Sequence, residues 1–303
     1  MSRKCLVSRR EFLGAAAAAV GTAAVSAAPA SSGKRLVMLA GGPSHGPMEH
    51  EFHAGSMLLQ KCLAGTPGLT VDVVTNGWPK DESVLDGADA ILSYADGGTG
   101  HPLVRGNHLE VVGRLMHKGV GLMCAHYGVE VPRDLAGKQF QDWIGGYYED
   151  HYSCNPMWEP EFKEFPDHPI ARGVRPFSVR DEWYFNMRFR PDMKGVTPIL
   201  AAKPSDKVRQ GPYVHPKGPY EHIVAASGRP EAMMWALERP DGGRGVGFTG
   251  GHFHKNWLEP NFRKVVLNAL LWVSKMEVPA GGVESTLTEA DIAQNLDPKP
   301  RKK

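Results

Sequence analysis

The chain has 303 residues, with 35 lysines and arginines set against 33 aspartates and glutamates, for a formal net charge of +2. Near-neutrality of this kind excludes the broad basic face that nucleic-acid binding needs. Four cysteines, Cys5, Cys62, Cys124 and Cys154, are too sparse for a disulfide framework, and the length suits one large α/β domain or such a core carrying an insertion.

The chain begins with Ser8-Arg9-Arg10-Glu11-Phe12-Leu13, an alanine-rich run to Val25 and then Ser26-Ala27-Ala28. This pattern predicts a twin-arginine export signal over residues 1–27, cleaved after Ala27. The run is too short and too weakly apolar for a stable membrane span, so an exported, periplasmic or extracytoplasmic protein is expected. Removing residues 1–27 takes away Arg3, Lys4, Arg9 and Arg10 against Glu11 and leaves 31 basic and 32 acidic side chains.

A first strand is predicted at Lys34–Ala40, followed by the loop Gly41-Gly42-Pro43-Ser44-His45-Gly46-Pro47. No G-x-G-x-x-G and no P-loop lysine follow, so a nucleotide cofactor is not expected. His45 lies directly above the strand. Beyond it, Glu49-His50-Glu51-Phe52-His53 leads into a helical pattern through Met57, Leu58, Leu59 and Leu63. Here His50 and His53 read as capping and surface charge.

Leu69–Val74 and Ala88–Tyr94 read as the next strands, Asn107–His117 as a helix, and Val120–Ala125 as a fourth strand. Regular alternation of this sort predicts a flavodoxin-like, doubly wound, mostly parallel sheet. The fourth strand runs into Cys124-Ala125-His126-Tyr127-Gly128, an elbow with His126 at its apex. Cys124, two residues earlier, is expected to be a buried and inert thiol.

From about residue 134 to 219 the alternation fades into an irregular insertion rich in proline, aromatics and charge. Its sharpest piece is Arg180-Asp181-Glu182-Trp183-Tyr184-Phe185, adjacent carboxylates beside three aromatics. A carboxylate desolvated by such neighbours stays protonatable near neutral pH, as acid/base chemistry requires. Strands at Ile199–Ala202 and Ala232–Leu237 precede Gly245-Val246-Gly247-Phe248, a buried strand that closes on Gly250-Gly251-His252-Phe253-His254-Lys255-Asn256-Trp257. If the backbone stays extended there, His252 and His254 face the same way. A helix is expected from Pro260 to Lys275, then a tail, 281–303, disordered at its tip.

Together, Gly250 to Trp257, the elbow from Gly121 to Gly128, and Asp181-Glu182-Trp183-Tyr184 resemble the ThuA-like, trehalose-utilisation family across residues 34–280. The resemblance implies a fold similar to class I glutamine amidotransferases, whose sheet carries a cysteine on the elbow and a His-x-Glu after a later strand. In this chain His126 occupies the elbow, and Asn256 follows His254 where the glutamate would stand. The resemblance therefore implies carbohydrate metabolism, including keto-disaccharide processing, more than nitrogen transfer.

Three functions follow as alternatives. The first is a sugar-processing hydrolase, lyase or isomerase, with His126, Asp181, Glu182 and His254 catalytic and a divalent, zinc-like metal held by His45, His126 and His254. Its substrate contacts would come from His45, Trp158, Trp183, Tyr184, His252 and Trp257. The second is a non-catalytic carbohydrate-binding protein that uses the same aromatics, and the third is a cysteine amidotransferase. The partner in the first two is a small carbohydrate. Because strand ends of a parallel sheet share one edge, His45, His126 and His254 are expected to converge, with Glu182 folded over them.

Overall fold

A computed structural model describes residues 33–299; the expected export signal and the last four residues of the tail lie outside it. Strand β1 (Lys34–Ala40) sends Leu36, Met38 and Ala40 into one hydrophobic cluster and Val37 and Leu39 into a second. Alternation with period two requires this when both faces of a sheet are covered. Helix α1 (Phe52–Leu63) joins the first cluster, and strands β2 (Leu69–Val74) and β3 (Ala90–Tyr94) follow. Helix α2 (His108–His117) covers the opposite face through Val112, Leu115 and Met116. Then come β4 (Gly121–Ala125), the short α3 (Lys138–Trp143), β5 (Val196–Ala202), β6 (Glu231–Glu238) and β7 (Arg244–Phe248). Helix α4 (Pro260–Val273) returns to the first face, started by proline and by the Glu259 carboxylate accepting from the Phe262 amide.

The seven strands form one sheet in the order β5-β6-β7-β4-β3-β1-β2. β2, β1, β3, β4 and β7 run parallel, and β6 is antiparallel to both of its neighbours. Register fixes where the site forms. Tyr94 pairs with Ala40 on one side and Ala125 on the other, and Ala125 pairs with Phe248, so four parallel strands end in one row. Whatever follows Ala40, Tyr94, Ala125 and Phe248 is delivered to the same edge.

The irregular insertion is built from three two-residue ladders, Gly146–Tyr147 with Arg188–Phe189, Met157–Trp158 with Asp181–Glu182, and Glu161–Phe162 with Phe177–Ser178. Within its expected span lies β5, the edge strand of the main sheet, so insertion and sheet are interlaced. The tail is ordered through Lys299. Thr288 and Asp291 form a capping box on a single helical turn, Glu289–Ile292. Beyond it the Asp297 amide donates to Glu51 Oε2 (2.9 Å) and the buried Lys299 ammonium to the His50 carbonyl (3.0 Å). No helix among the described residues is long and apolar enough to cross a membrane.

Close approach of α4 to the sheet depends on Gly121, where a Cβ would stand 2.1 Å from the Val273 carbonyl oxygen. Gly121→Ala should cost about 1–3 kcal/mol of stability through overpacking. A lower urea midpoint at unchanged m-value is the expected result, and an unshifted midpoint would contradict the packing described.

Candidate functional site

Three of the loops at this edge carry histidines on strained or glycine-bent backbone. His126 follows β4 with φ of 52°, and His50, just before α1, has φ of 46°. Neither residue is glycine, so each left-handed conformation costs about 1–3 kcal/mol that the surroundings must offset. After β7 the chain bends at Gly251, φ 112°, and presents His252.

These bends bring four donor atoms to one point. His126 Nε2 lies 2.9 Å from His50 Nε2, His252 Nδ1 lies 3.0 Å from His50 Nε2, and Glu182 Oε2 is 2.7 Å from His252 Nδ1 and 3.7 Å from His126 Nε2. All four side chains are buried. The outer ring nitrogens assign the tautomers. His126 Nδ1 is 3.0 Å from the Thr249 carbonyl oxygen, which only accepts, so Nδ1 carries the proton and Nε2 a lone pair. His50 Nδ1 stands 3.0 Å from Asp96 Oδ1, and the same logic leaves its Nε2 bare. Two lone pairs thus face each other at 2.9 Å. Burial pushes both imidazoles well below their ordinary pKa, which disfavours a bridging proton. A cation would satisfy both lone pairs, and His50, His126, His252 and Glu182 form a group that could hold one. The arrangement has the second-sphere pattern of metal-ligating histidines, with the far N–H donated to a carboxylate or carbonyl. Tetrahedral zinc bonds of ~2.0–2.1 Å put donor atoms roughly 3.4 Å apart, within the observed spread.

The adjacent carboxylates have separate duties. Asp181 is fully buried; its Oδ1 accepts from the amides of Glu182 (2.8 Å) and His252 (3.1 Å), and its Oδ2 from the Gly251 amide (2.8 Å) and Asn256 Nδ2 (3.0 Å). It therefore holds the Gly251–His252 bend in place. Glu182 turns the other way, with Oε1 accepting from Asn155 Nδ2 (2.9 Å). Desolvation raises its pKa against the opposing pull of His252. His50, Glu182 and Tyr184 border a cavity of about 780 Å³. The Tyr184 hydroxyl stands 3.4 Å from His126 Nε2, and the remaining wall includes Gly97, Tyr127, Glu130, Arg133, Asp150 and His215.

The expected site is therefore regrouped. His126 and Glu182 do meet. His254 does not join them, because a 3₁₀ turn starts at His254 and its Nε2 faces the Ile292 carbonyl oxygen at 3.1 Å, so it is absent from the metal-competent group. His252, expected only to touch substrate, takes its place. His45 lies at the cavity rim, stacked on His50 with ring centroids 3.6 Å apart, and is not grouped with His126. Asp181 is absent from the cavity wall. Trp158, Trp183 and Trp257 are core residues; Trp183 packs edge-on against Phe248 and Phe262, so none offers a face for sugar stacking. Sequence reasoning missed His50, with its partner Asp96, and placed it on a charged surface. Its signal was position, since it precedes the helix that begins at Phe52. Cys124 is buried among apolar side chains and its thiol is pushed far up by desolvation, which leaves no reactive thiolate.

The profile of the ThuA family, described as trehalose utilisation, matches residues 41–273. A solved ThuA-like protein from Bacteroides uniformis superposes with a TM-score of 0.54 at 15% identity, over 83% of this chain and 95% of that one. Another, from Parabacteroides merdae, gives 0.53 at 13% identity, over 85% and 94%. At such identities the likeness is one of fold. No curated protein matches the sequence.

Asp181→Asn keeps the shape but turns donors toward donors, so it should cost about 1–3 kcal/mol per unsatisfied group and speed amide exchange at Gly251. Unchanged exchange there would remove Asp181 from its positioning role. His101 supports the elbow differently: its buried Nε2 donates to the Gly128 carbonyl (2.9 Å), and burial lowers its pKa to about 4. The unfolded chain takes up this proton near pH 6.5, so the stability is present above 6.5 and declines as pH falls toward 4. His101→Gln should flatten the pH dependence of unfolding in that window by about 1.4 kcal/mol per unit. Equal slopes in the two proteins would contradict the assignment.

Proposed function

This chain belongs to the ThuA, trehalose-utilisation family, and on that premise we propose that it is a metal-assisted enzyme acting by acid/base chemistry on a sugar or keto-sugar of disaccharide size. One observation carries the reading: the bare Nε2 atoms of His50 and His126 face each other at 2.9 Å inside a buried cluster that opens on a large cavity. His50, His126 and His252 would hold a divalent, zinc-like ion, with Asp96 and Thr249 fixing two of the rings. Such an ion would polarise a carbonyl or hydroxyl oxygen of the substrate.

Glu182 is placed to take up and return a proton at the centre. Its Oε1 is held by Asn155, while Oε2 faces the cluster, and desolvation raises its pKa against the pull of His252. The Tyr184 hydroxyl and His45 are placed to hydrogen-bond substrate oxygens. Asp150 and Glu182 outnumber Arg133 in the wall and disfavour an anionic ligand, which supports a neutral sugar over a phosphorylated one. We also propose export by the twin-arginine route, supported by Ser8 to Leu13 and the alanine-rich run after them. That route carries folded proteins and is compatible with metal loading before export. With the three tryptophans in the core, a stacking platform for simple sugar capture loses its support.

Elemental analysis of protein purified without a histidine tag should find about one divalent ion per chain. His50→Ala, His126→Ala and His252→Ala should each strip it while His254→Ala retains it, and Asp96→Asn should weaken affinity about 10–100-fold, as loss of an orienting partner does. A folded protein with no ion under metal-replete conditions, or one that loses it only on changing His254, would overturn the metal reading.

A further inference from the structure

A second carboxyl group in the cavity is built unlike Glu182. Glu130 sits just beyond the elbow turn, fixed by its backbone: its amide donates to the Tyr127 carbonyl (3.0 Å), its carbonyl accepts from the Gly98 amide (3.0 Å), and it bridges to Tyr148. The side chain reaches the cavity wall beside Gly98, where its Oε1 lies 3.6 Å and the Tyr127 hydroxyl 3.9 Å from the place a Cβ would occupy. Glycine there leaves the carboxyl group uncovered toward the cavity. Among the described residues no hydrogen-bond donor or cation is paired with this carboxyl, whereas Glu149 in the same wall is clamped by Arg188 at 2.8 and 2.9 Å.

We propose that Glu130 is the general acid of the site, delivering a proton to the departing oxygen of a glycosidic bond that is broken in the cavity. This inference rests on the reading of the histidine cluster as a catalytic centre and adds the bond type to it. The balance is that of hydrolysis. As the C–O bond breaks, its electron pair leaves with the oxygen, which takes the Glu130 proton; carbon takes the hydroxyl of one water, and the second proton of that water restores Glu130.

The surroundings keep the acid charged with its proton. Burial, then the negative fields of Asp150 and Glu182, push its pKa up to about 8. Tyr127, Tyr148 and Tyr184 also face it and are neutral phenols, and Arg133 is the one cation of the cavity wall among the described residues. Glu182, which accepts from Asn155 on Oε1 and sets Oε2 against the histidines, and Glu130, with no donor on either oxygen, are thereby pushed toward opposite roles. Divergent environments for two carboxyl groups in one site are how acid and base are assigned.

The test compares wild type with Glu130→Gln on two probes, a keto-disaccharide and the matching keto-sugar 4-nitrophenyl glycoside, with metal content and unfolding midpoint measured in parallel. A general acid contributes roughly 10²–10⁴-fold, so kcat on the disaccharide should fall by that factor. On the nitrophenyl glycoside, whose leaving oxygen needs no proton, the fall should be less than about tenfold, with metal content unchanged. Equal losses on both probes, or no loss on the disaccharide, would overturn the assignment of Glu130 while leaving the metal-centre reading intact. If metal-loaded wild type cleaves neither probe, the cleavage reading fails and this inference with it. Should Glu130→Gln unfold, Glu130→Asp takes its place, and loss of the probe dependence there would be equally decisive.

Discussion

The proximity of two imidazole nitrogens that both lack a proton governs this structure. His50 and His126 each spend their one N–H on an outer acceptor, Asp96 and the Thr249 carbonyl, and so aim lone pairs at each other across 2.9 Å. In water such a contact would simply open. Here the rings are buried, set on left-handed backbone, and backed by His252 and Glu182, so opening them would disturb the row of strand ends beneath. The strain at two non-glycine residues and the lone-pair repulsion fall at one point, and strain of this kind persists only where its surroundings over-determine it.

That over-determination comes from the sheet and from the C-terminal tail. Strand register sets Ala40, Tyr94, Ala125 and Phe248 level. The loop bearing His50 is pinned from outside: the His252 carbonyl accepts from the His50 amide (3.0 Å), and Lys299 and Asp297 of the tail bond the His50 carbonyl and the Glu51 carboxylate. His254, left out of the cluster, does related work, with its amide donating to the Met48 carbonyl (2.9 Å) and its ring to Ile292. It ties tail and loop together from between them.

The sheet was legible because its signals are local and redundant. Strands of five to eight residues bounded by glycine, and helices with apolar spacing, show in a single pass, and β1 and β2 fall on their expected bounds. The elbow at His126 was legible too, since a strand that ends in a residue followed by Tyr-Gly has few ways to turn. His50 was not, because three-residue spacing to His53 looks helical until the helix is seen to start after it. Nor was the divergence of His252 and His254, which hangs on a 3₁₀ turn that no residue in Phe253-His254-Lys255 demands. The tryptophans misled for a plainer reason: an aromatic near a site motif in sequence can point into the core as easily as into the cavity, and Trp158 and Trp183 bond each other through indole N–H and carbonyl (3.0 Å).

Asp181 and Glu182 condense the relation between fold and site. They are consecutive residues of a two-residue strand paired with Met157–Trp158, so their side chains leave on opposite faces. One face meets the segment after β7, and Asp181 accepts there from Gly251, His252 and Asn256 and, within its own strand, from the Glu182 amide. The other meets the histidines, where Glu182 has one oxygen free to face the cluster and the cavity. Because Asp181 positions the backbone of His252 and Glu182 touches its ring, the two carboxylates act on one histidine from opposite ends. A one-residue slip of this short ladder would exchange them, putting the shorter carboxylate at the cluster and leaving the Gly251 bend without its anchor. The insertion thus has to be held in register with the sheet, and the burial of Trp183 against Phe248 and Phe262 supplies that hold. The aromatic once expected to grip a ligand instead fixes which carboxylate the ligand meets.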